Sequence, residues 1–227
     1  FVCGDGIAES LTVLPEKCDI IGVGADLYPF PRVTGVHSSA ADKPGCRFIN
    51  LGFQGTGAGD LFKTTVAGSH GLSFLGCHFV PTNGGMSKCL ELLDVSGLRI
   101  QGCTFTCGAG NMTHIFGTAI SIEGLDSIHD TIISDNYITA TAGIHVVEGA
   151  AVAMGSVIAR NVIRAVGKGI NDASGDFQVV DNRWMTDIDT TTSTAGYTFN
   201  LQLAAGNIQM GVTGLGDSIP FMKIAEP

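Results

Sequence analysis

Polar side chains recur at one position of four short sequence copies, and two of them are of the kind that does acid–base chemistry. The copies are C-L-E-L at 89–92, A-I-S-I at 119–122, G-I-H-V at 143–146 and G-I-N-D at 169–172. The third position of each copy holds Glu91, Ser121, His145 or Asn171, and Glu123 lies two residues after Ser121. Paired carboxyl groups suit glycoside hydrolysis, one as acid and the other as base or nucleophile.

We therefore predict Glu91 and Glu123 as the acid/base pair if this face is catalytic, with His145 and Asn171 lining the same groove as substrate-binding residues. The alternative interpretation is an ordinary solvated face, because polar residues are expected on any outward-facing strand positions. The alternation of apolar and variable residues marks each copy as a short strand with one buried face.

A second motif recurs between these copies and identifies the architecture. It reads apolar-x-x-Asn-x-apolar, with Cys in the Asn position upstream, and its copies are F-I-N-L-G-F at 48–53, F-L-G-C-H-F at 74–79, I-Q-G-C-T-F at 100–105, I-S-D-N-Y-I at 133–138, I-A-R-N-V-I at 158–163 and V-V-D-N-R-W at 179–184. The copies begin 21–33 residues apart. Leucine-rich repeats need a dense Leu frame, and a propeller blade needs about 40 residues, so a coil of three short strands fits the distance between copies best.

A parallel solenoid explains why Asn recurs within apolar strands. Equivalent residues of successive coils stack about 4.8 Å apart, so Asn136, Asn161 and Asn182 are predicted to form a hydrogen-bonded ladder, continued upstream by Cys103 and Cys77. The residue before each position is predicted to take a left-handed bend, which Gly, Asn and Asp tolerate. Two residues after each ladder position, an inward column is predicted at Phe53, Phe79, Phe105, Ile138, Ile163 and Trp184.

The residues between the ladder and this column are predicted to face outward, and among them Tyr137 is a candidate for sugar contact. No cofactor and no metal site are predicted, since Asp187-x-Asp189 lacks a framework of oxygen ligands. The formal net charge of −9 argues against a nucleic-acid partner. The sequence contains no stretch of about 20 apolar residues, so membrane insertion is not predicted.

The I-x-x-N-x-I ladder, followed by a G-I-x-V strand, resembles the right-handed parallel β-helix of pectate lyases, polygalacturonases and phage tailspikes. The resemblance implies an all-β fold of about 6–8 coils over residues 46–210, with residues 1–45 as N-terminal cap and first coil and 211–227 as a C-terminal extension. It also implies that a sugar chain lies along an outer strand face and that the protein is a homotrimer.

The function expected first is that of a tailspike-type virion protein that binds, and in its enzymatic form depolymerises, a host cell-surface glycan. Its other partners are then virion proteins, and its location is the virion or the extracellular space. The chain has an odd number of Cys residues, seven, and two of them are placed in the buried ladder. Both features favour folding in a reducing compartment, as in a phage-infected cell. The alternatives are a free extracellular polysaccharide lyase or glycoside hydrolase, and a non-catalytic structural β-helix.

Overall fold

The structure, a computed structural model, describes most of the chain. The described residues are 2–3, 7–8, 10–11, 16–23, 31–39, 45–55, 57–64, 70–81, 86–106, 115–124, 128–147, 155–174, 177–184, 191–193, 198–204, 207–213 and 222–223. Every regular element within these ranges is a β-strand. The same ranges contain no helix long and apolar enough to cross a membrane.

The strands are short and stack in parallel, which makes the fold a parallel β-solenoid with three faces. Face 1 contains β1 (Val2–Cys3), β3 (Asp19–Gly22), β6 (Arg47–Ile49), β9 (Ser73–Leu75), β12 (Arg99–Gln101), β15 (Ile132–Ser134), β17 (Val157–Ala159) and β20 (Gln178–Val180). Each strand of face 1 pairs in register with the equivalent strand of the next coil.

Faces 2 and 3 follow face 1 in every coil. Face 2 contains β2 (Ile7–Ala8), β4 (Arg32–Thr34), β7 (Gly52–Gly55), β10 (His78–Pro81), β13 (Thr104–Phe105), the first part of β16 (Tyr137–Val146), β18 (Val162–Ala165) and β21 (Arg183–Trp184). Face 3 contains β5 (His37–Ser39), β8 (Phe62–Thr64), β11 (Lys88–Leu93), β14 (Phe116–Glu123), the second part of β16, β19 (Ile170–Asp172) and β22 (Thr191–Ser193).

The predicted ladder is present at the corner between faces 1 and 2. Asn182 Oδ1 accepts from Asn161 Nδ2 at 2.9 Å, Asn161 Oδ1 accepts from Asn136 Nδ2 at 2.8 Å, and Asn136 Oδ1 accepts from the Cys103 amide at 2.9 Å. Cys103 and Cys77 are both 1% exposed, as the stacking predicts.

Backbone geometry at this corner also confirms the sequence pattern. All six residues that precede the ladder positions have φ between 51° and 63°, namely Asn50, Gly76, Gly102, Asp135, Arg160 and Asp181. Arg160 is the unexpected member, because a long side chain rarely adopts this region. Its guanidinium donates two hydrogen bonds of 2.8 Å to Asp135 of the previous coil, which offsets part of the backbone cost.

The interior changes from aromatic to aliphatic along the axis. Phe53, Phe79 and Phe105 stack with centroids 5.1 and 4.7 Å apart, and Ile138 and Ile163 continue the column with no exposure. In-register stacking places like side chains above one another, so each buries the face of its neighbour. Trp184 is the register partner of Ile163, as predicted, but its side chain lies outside the described part of the structure.

Strand pairing continues on both sides of the ladder copies, which span residues 48–184. Parallel pairing already joins β1 to β3 and β3 to β6 upstream of residue 46. Downstream, parallel pairing ends at β22, and β23 (Thr198–Ala204), β24 (Asn207–Thr213) and β25 (Met222–Lys223) continue face 3 with antiparallel pairing. The ladder motif identifies only coils whose bend residues fit the pattern, so it misses coils that bend with other residues.

Candidate functional site

The outward residues predicted from the strand copies form one continuous column on face 3. Glu91 pairs with Ser121, Ser121 with His145, and His145 with Asn171. Lys63 of β8 extends the column by one coil at its upstream end. Four steps of about 4.8 Å give the column a length of about 19 Å.

The upstream half of the column is recessed although it faces outward. Glu91 is 8% exposed and Ser121 is fully buried. Lys88 Nζ contacts Oε1 of both Glu91 and Glu123, and Ser121 Oγ donates to Glu123 Oε1 at 2.9 Å. Two oxygens that accept from one nitrogen lie at most about 6 Å apart, so the structure brings the two predicted carboxylates together.

Two charged residues that the motifs did not single out complete this cluster. Lys63 Nζ contacts Glu91 Oε2 and lies 4.0 Å from Asp60 Oδ2. The Asp60 carboxyl is itself within hydrogen-bonding contact of Glu91. We call Asp60, Lys63, Lys88, Glu91 and Glu123 the charged cluster.

Within the charged cluster, the pKa values of Glu91 and Asp60 shift in opposite directions. Burial disfavours the charge on Glu91, but hydrogen bonds from Lys63 and Lys88 outweigh it and hold the pKa of Glu91 at about 2. Burial and the adjacent Glu91 raise the pKa of Asp60, although both lysines oppose this. The first proton taken up by the Asp60–Glu91 pair therefore goes to Asp60, and two neighbouring carboxyl groups of unlike protonation are the arrangement that acid–base chemistry uses.

The downstream half of the column is more open and carries weaker charge. Burial lowers the pKa of His145, Lys88 and Lys168 lower it further, and Glu123 opposes the shift. A neutral imidazole both donates and accepts hydrogen bonds. Asn171 Oδ1 accepts from Lys168 Nζ at 3.3 Å.

Tyr137 does not join the other predicted site residues. Its side chain is exposed, as expected, but it pairs with Thr104 and Val162 on face 2. It precedes His145 by eight positions of the same strand, β16, which corresponds to as much as about 26 Å.

The aspartates considered for a cation give no metal centre in the described ranges. Asp172 is buried and accepts from the amides of Ser174 and Phe177 at 3.1 Å, which is a turn-stabilising role. Asp187 and Asp189 lie outside the described residues. Across the part of the chain that is described, no group of three His, Cys, Asp or Glu side chains could hold a metal ion.

Comparison with known proteins found no relative whose site could be compared with this one. A scan against protein-family models, a search of curated proteins and a search of solved structures each found no match. The basis for function is thus the parallel β-solenoid, a fold compatible with polysaccharide binding or a structural role, and the polar column that runs along its face 3.

Proposed function

We propose that the protein binds an extended polysaccharide along face 3, as a tailspike-type virion protein binds a host cell-surface glycan. The observation that carries the proposal is the unbroken polar column of five in-register residues, Lys63, Glu91, Ser121, His145 and Asn171. A linear glycan presents hydroxyl groups at a regular repeat, and a solenoid face presents donors and acceptors at a regular repeat of about 4.8 Å.

The other two faces provide a contrast within the same molecule. The equivalent outward column of face 1 passes from Arg99 to Ile132 and Val157, and that of face 2 passes from Tyr137 to Val162. Apolar residues interrupt both columns, so the polar row of face 1, Asp19, Arg47, Ser73 and Arg99, is shorter than that of face 3. Face 3 is the face that matches a polar polymer.

The binding test uses purified bacterial capsular and O-antigen polysaccharides with isothermal titration calorimetry. The His145→Ala/Asn171→Ala variant should weaken affinity about tenfold or more, since each lost hydrogen bond is worth about 1 kcal/mol. Arg99→Ala is the matched control, because Arg99 is an exposed strand residue on face 1. Equal weakening by both variants contradicts a site on face 3, and a protein that binds no polysaccharide supports the structural alternative.

Depolymerisation is the second candidate function, and the Asp60–Glu91 pair favours it. We propose Asp60 as proton donor, because its pKa is raised, and the ionised Glu91 or the adjacent Glu123 as base or nucleophile. Loss of viscosity of a bound polysaccharide measures the activity. Asp60→Asn, Glu91→Gln and Glu123→Gln should each slow a true cleavage by roughly 10²–10⁴-fold. Unchanged turnover in all three removes catalysis from this cluster and leaves binding in place.

The proposed assembly is a homotrimer that docks onto other virion proteins. Support comes from the register of the last strands, which pairs Phe199, Leu201 and Leu203 with Val212, Met210 and Ile208. Phe199 also pairs with Thr191, the register partner of Ile170 in the solenoid core. The strands after the last coil thus carry a row of apolar residues paired in register.

Three such rows, one from each copy, would close a common interior at the end of the solenoid. Light scattering at several concentrations tests this assembly, and the expected mass is three times that of the chain. Leu201→Lys should reduce it to that of a single chain. A monomer at every concentration in the unmodified protein contradicts the trimer without bearing on glycan binding.

A further inference from the structure

Two cysteines occupy the same position of adjacent coils near the upstream end of face 1. Cys18 comes directly before β3 and Cys46 directly before β6. The next residues, Asp19 and Arg47, are register partners, and the Arg47 amide donates to the Cys18 carbonyl at 2.9 Å. Stacked positions of parallel strands lie about 4.8 Å apart, which is within the Cα separations of about 4.4–6.8 Å that disulfides span.

The side chains of this pair also meet. The two thiols are within hydrogen-bonding contact of each other, and neither is in a disulfide. Cys46 is fully buried, whereas Cys18 is half-buried and packs on the edge of the core. Solvent therefore reaches the pair through Cys18.

A second stacked pair serves as an internal comparison. Cys77 and Cys103 also contact each other across adjacent coils, but both are 1% exposed. Each of their thiols donates to a core carbonyl, Phe48 O for Cys77 and Phe74 O for Cys103, at 3.3 Å. The two pairs share their stacking and differ in access.

We propose that Cys18 and Cys46 form a disulfide when the folded protein meets a small disulfide oxidant such as glutathione disulfide, while Cys77 and Cys103 remain thiols. The Cys18 thiolate attacks one sulfur of glutathione disulfide, and the first glutathione leaves as a thiolate that takes up a proton. Cys46 then loses its proton and attacks the Cys18 sulfur, which releases the second glutathione. Two protein thiols are oxidised and one reagent disulfide is reduced to two thiols.

The surroundings of the pair set the order of these steps. Burial raises the pKa of Cys46 to about 12, so this thiol is a poor first nucleophile. Cys18 reacts first, and the closing step by Cys46 accelerates as pH rises. The bond ties β3 to β6 near an end of the solenoid, where a coil has fewer neighbours to hold it.

Peptide mass spectrometry after alkylation tests the proposal directly. The protein carries Cys3→Ser and Cys107→Ser, which leaves the two stacked pairs and the fully buried Cys89. It is incubated folded with glutathione disulfide at pH 8. The expected product is a Cys18–Cys46 linked peptide, with Cys77 and Cys103 alkylated only after denaturation. The oxidised protein should also unfold at a higher urea concentration than the reduced one.

Three single variants separate this chemistry from nonspecific oxidation. Cys46→Ala should trap one glutathione on Cys18, Cys18→Ala should leave Cys46 unmodified, and Cys103→Ala should leave the linkage unchanged. Preferential formation of a Cys77–Cys103 bond would overturn the proposal. So would glutathione on Cys46 in the Cys18→Ala variant, or a fully reduced folded protein under conditions that oxidise the urea-unfolded chain. None of these outcomes depends on whether face 3 binds a glycan.

Discussion

Asn161 is the central amide of the ladder, and its replacement by Ala tests how the solenoid is held together. Its Oδ1 accepts from Asn136 N at 3.1 Å and from Asn136 Nδ2 at 2.8 Å. Its Nδ2 donates to Ile133 O at 3.0 Å and to Asn182 Oδ1 at 2.9 Å. The side chain is fully buried, so all four bonds are shielded from bulk water.

The magnitude follows from the groups that lose a partner. In Asn161→Ala, Asn182 Oδ1 still accepts from the backbone amide at position 161, and Asn136 Nδ2 still donates to Ile100 O. The Asn136 amide and the Ile133 carbonyl lose their side-chain partner outright. A buried group left unsatisfied costs about 1–3 kcal/mol, so the expected loss for these two groups is about 2–6 kcal/mol. That is a large part of the 5–15 kcal/mol typical of a folded domain.

Asn182→Ala is the matched control, because Asn182 makes the same kind of bonds in the last described coil of the ladder. It is half-buried, and water can replace the lost amide, so we expect a loss of only about 1–2 kcal/mol. Urea unfolding followed by circular dichroism measures both variants. A loss below about 1 kcal/mol for Asn161→Ala, or an equal loss for both variants, would refute the argument that burial of the ladder controls its contribution.

Other parts of the structure give predictions of the same kind. Burial depresses the pKa of His37 to about 4, below the unfolded value of about 6.5, so stability should fall as pH drops from about 6.5 to 4. His37→Gln should flatten this dependence, by up to about 3 kcal/mol, in urea titrations at several pH values. Phe79→Ala should cost about 3–5 kcal/mol in urea unfolding, while exposed Tyr137→Ala should change stability by about 0.5 kcal/mol or less. Lys88→Met should raise the pKa of Glu91, which a carboxyl ¹³C NMR titration detects, because Lys88 is one of two cations on that carboxylate.

The ladder was predictable from sequence because few residue types satisfy its corner. The bend requires a positive φ, and the buried position after it requires a side chain that bonds its own copies, so Gly/Asp and Asn/Cys recur at readable intervals. Arg160 shows the limit of this logic. It takes φ 53° although Arg rarely adopts this region, and its ion pair with Asp135 is a contact between coils that no local pattern encodes.

The candidate site was only half predictable, for a related reason. Period-2 alternation located Glu91 and His145 on one column, but it overlooked Lys63 in L-F-K-T at 61–64. This copy begins with Leu instead of a small residue and ends with Thr instead of an apolar one. Asp60 precedes its strand, and Lys88 lies at the start of β11, outside the motif. Residues of this kind are placed by the stacking of unequal coils, so they become neighbours only in three dimensions.

Energetics favours a functional over a purely structural origin for the charged cluster. Burying charge costs several kcal/mol per ion, and apolar replacements of similar volume are often neutral or stabilising. On the outer side of a strand, β-branched residues such as Thr or Val would pack well without that cost. The sequence nevertheless keeps two lysines against three carboxyl groups, and the cost falls mainly on Glu91, which is 8% exposed, because the other four side chains remain partly open to solvent. Under the proposed function, ligand contact or proton transfer accounts for this cluster, because it holds the Glu91 carboxyl ionised beside Asp60, whose pKa is raised.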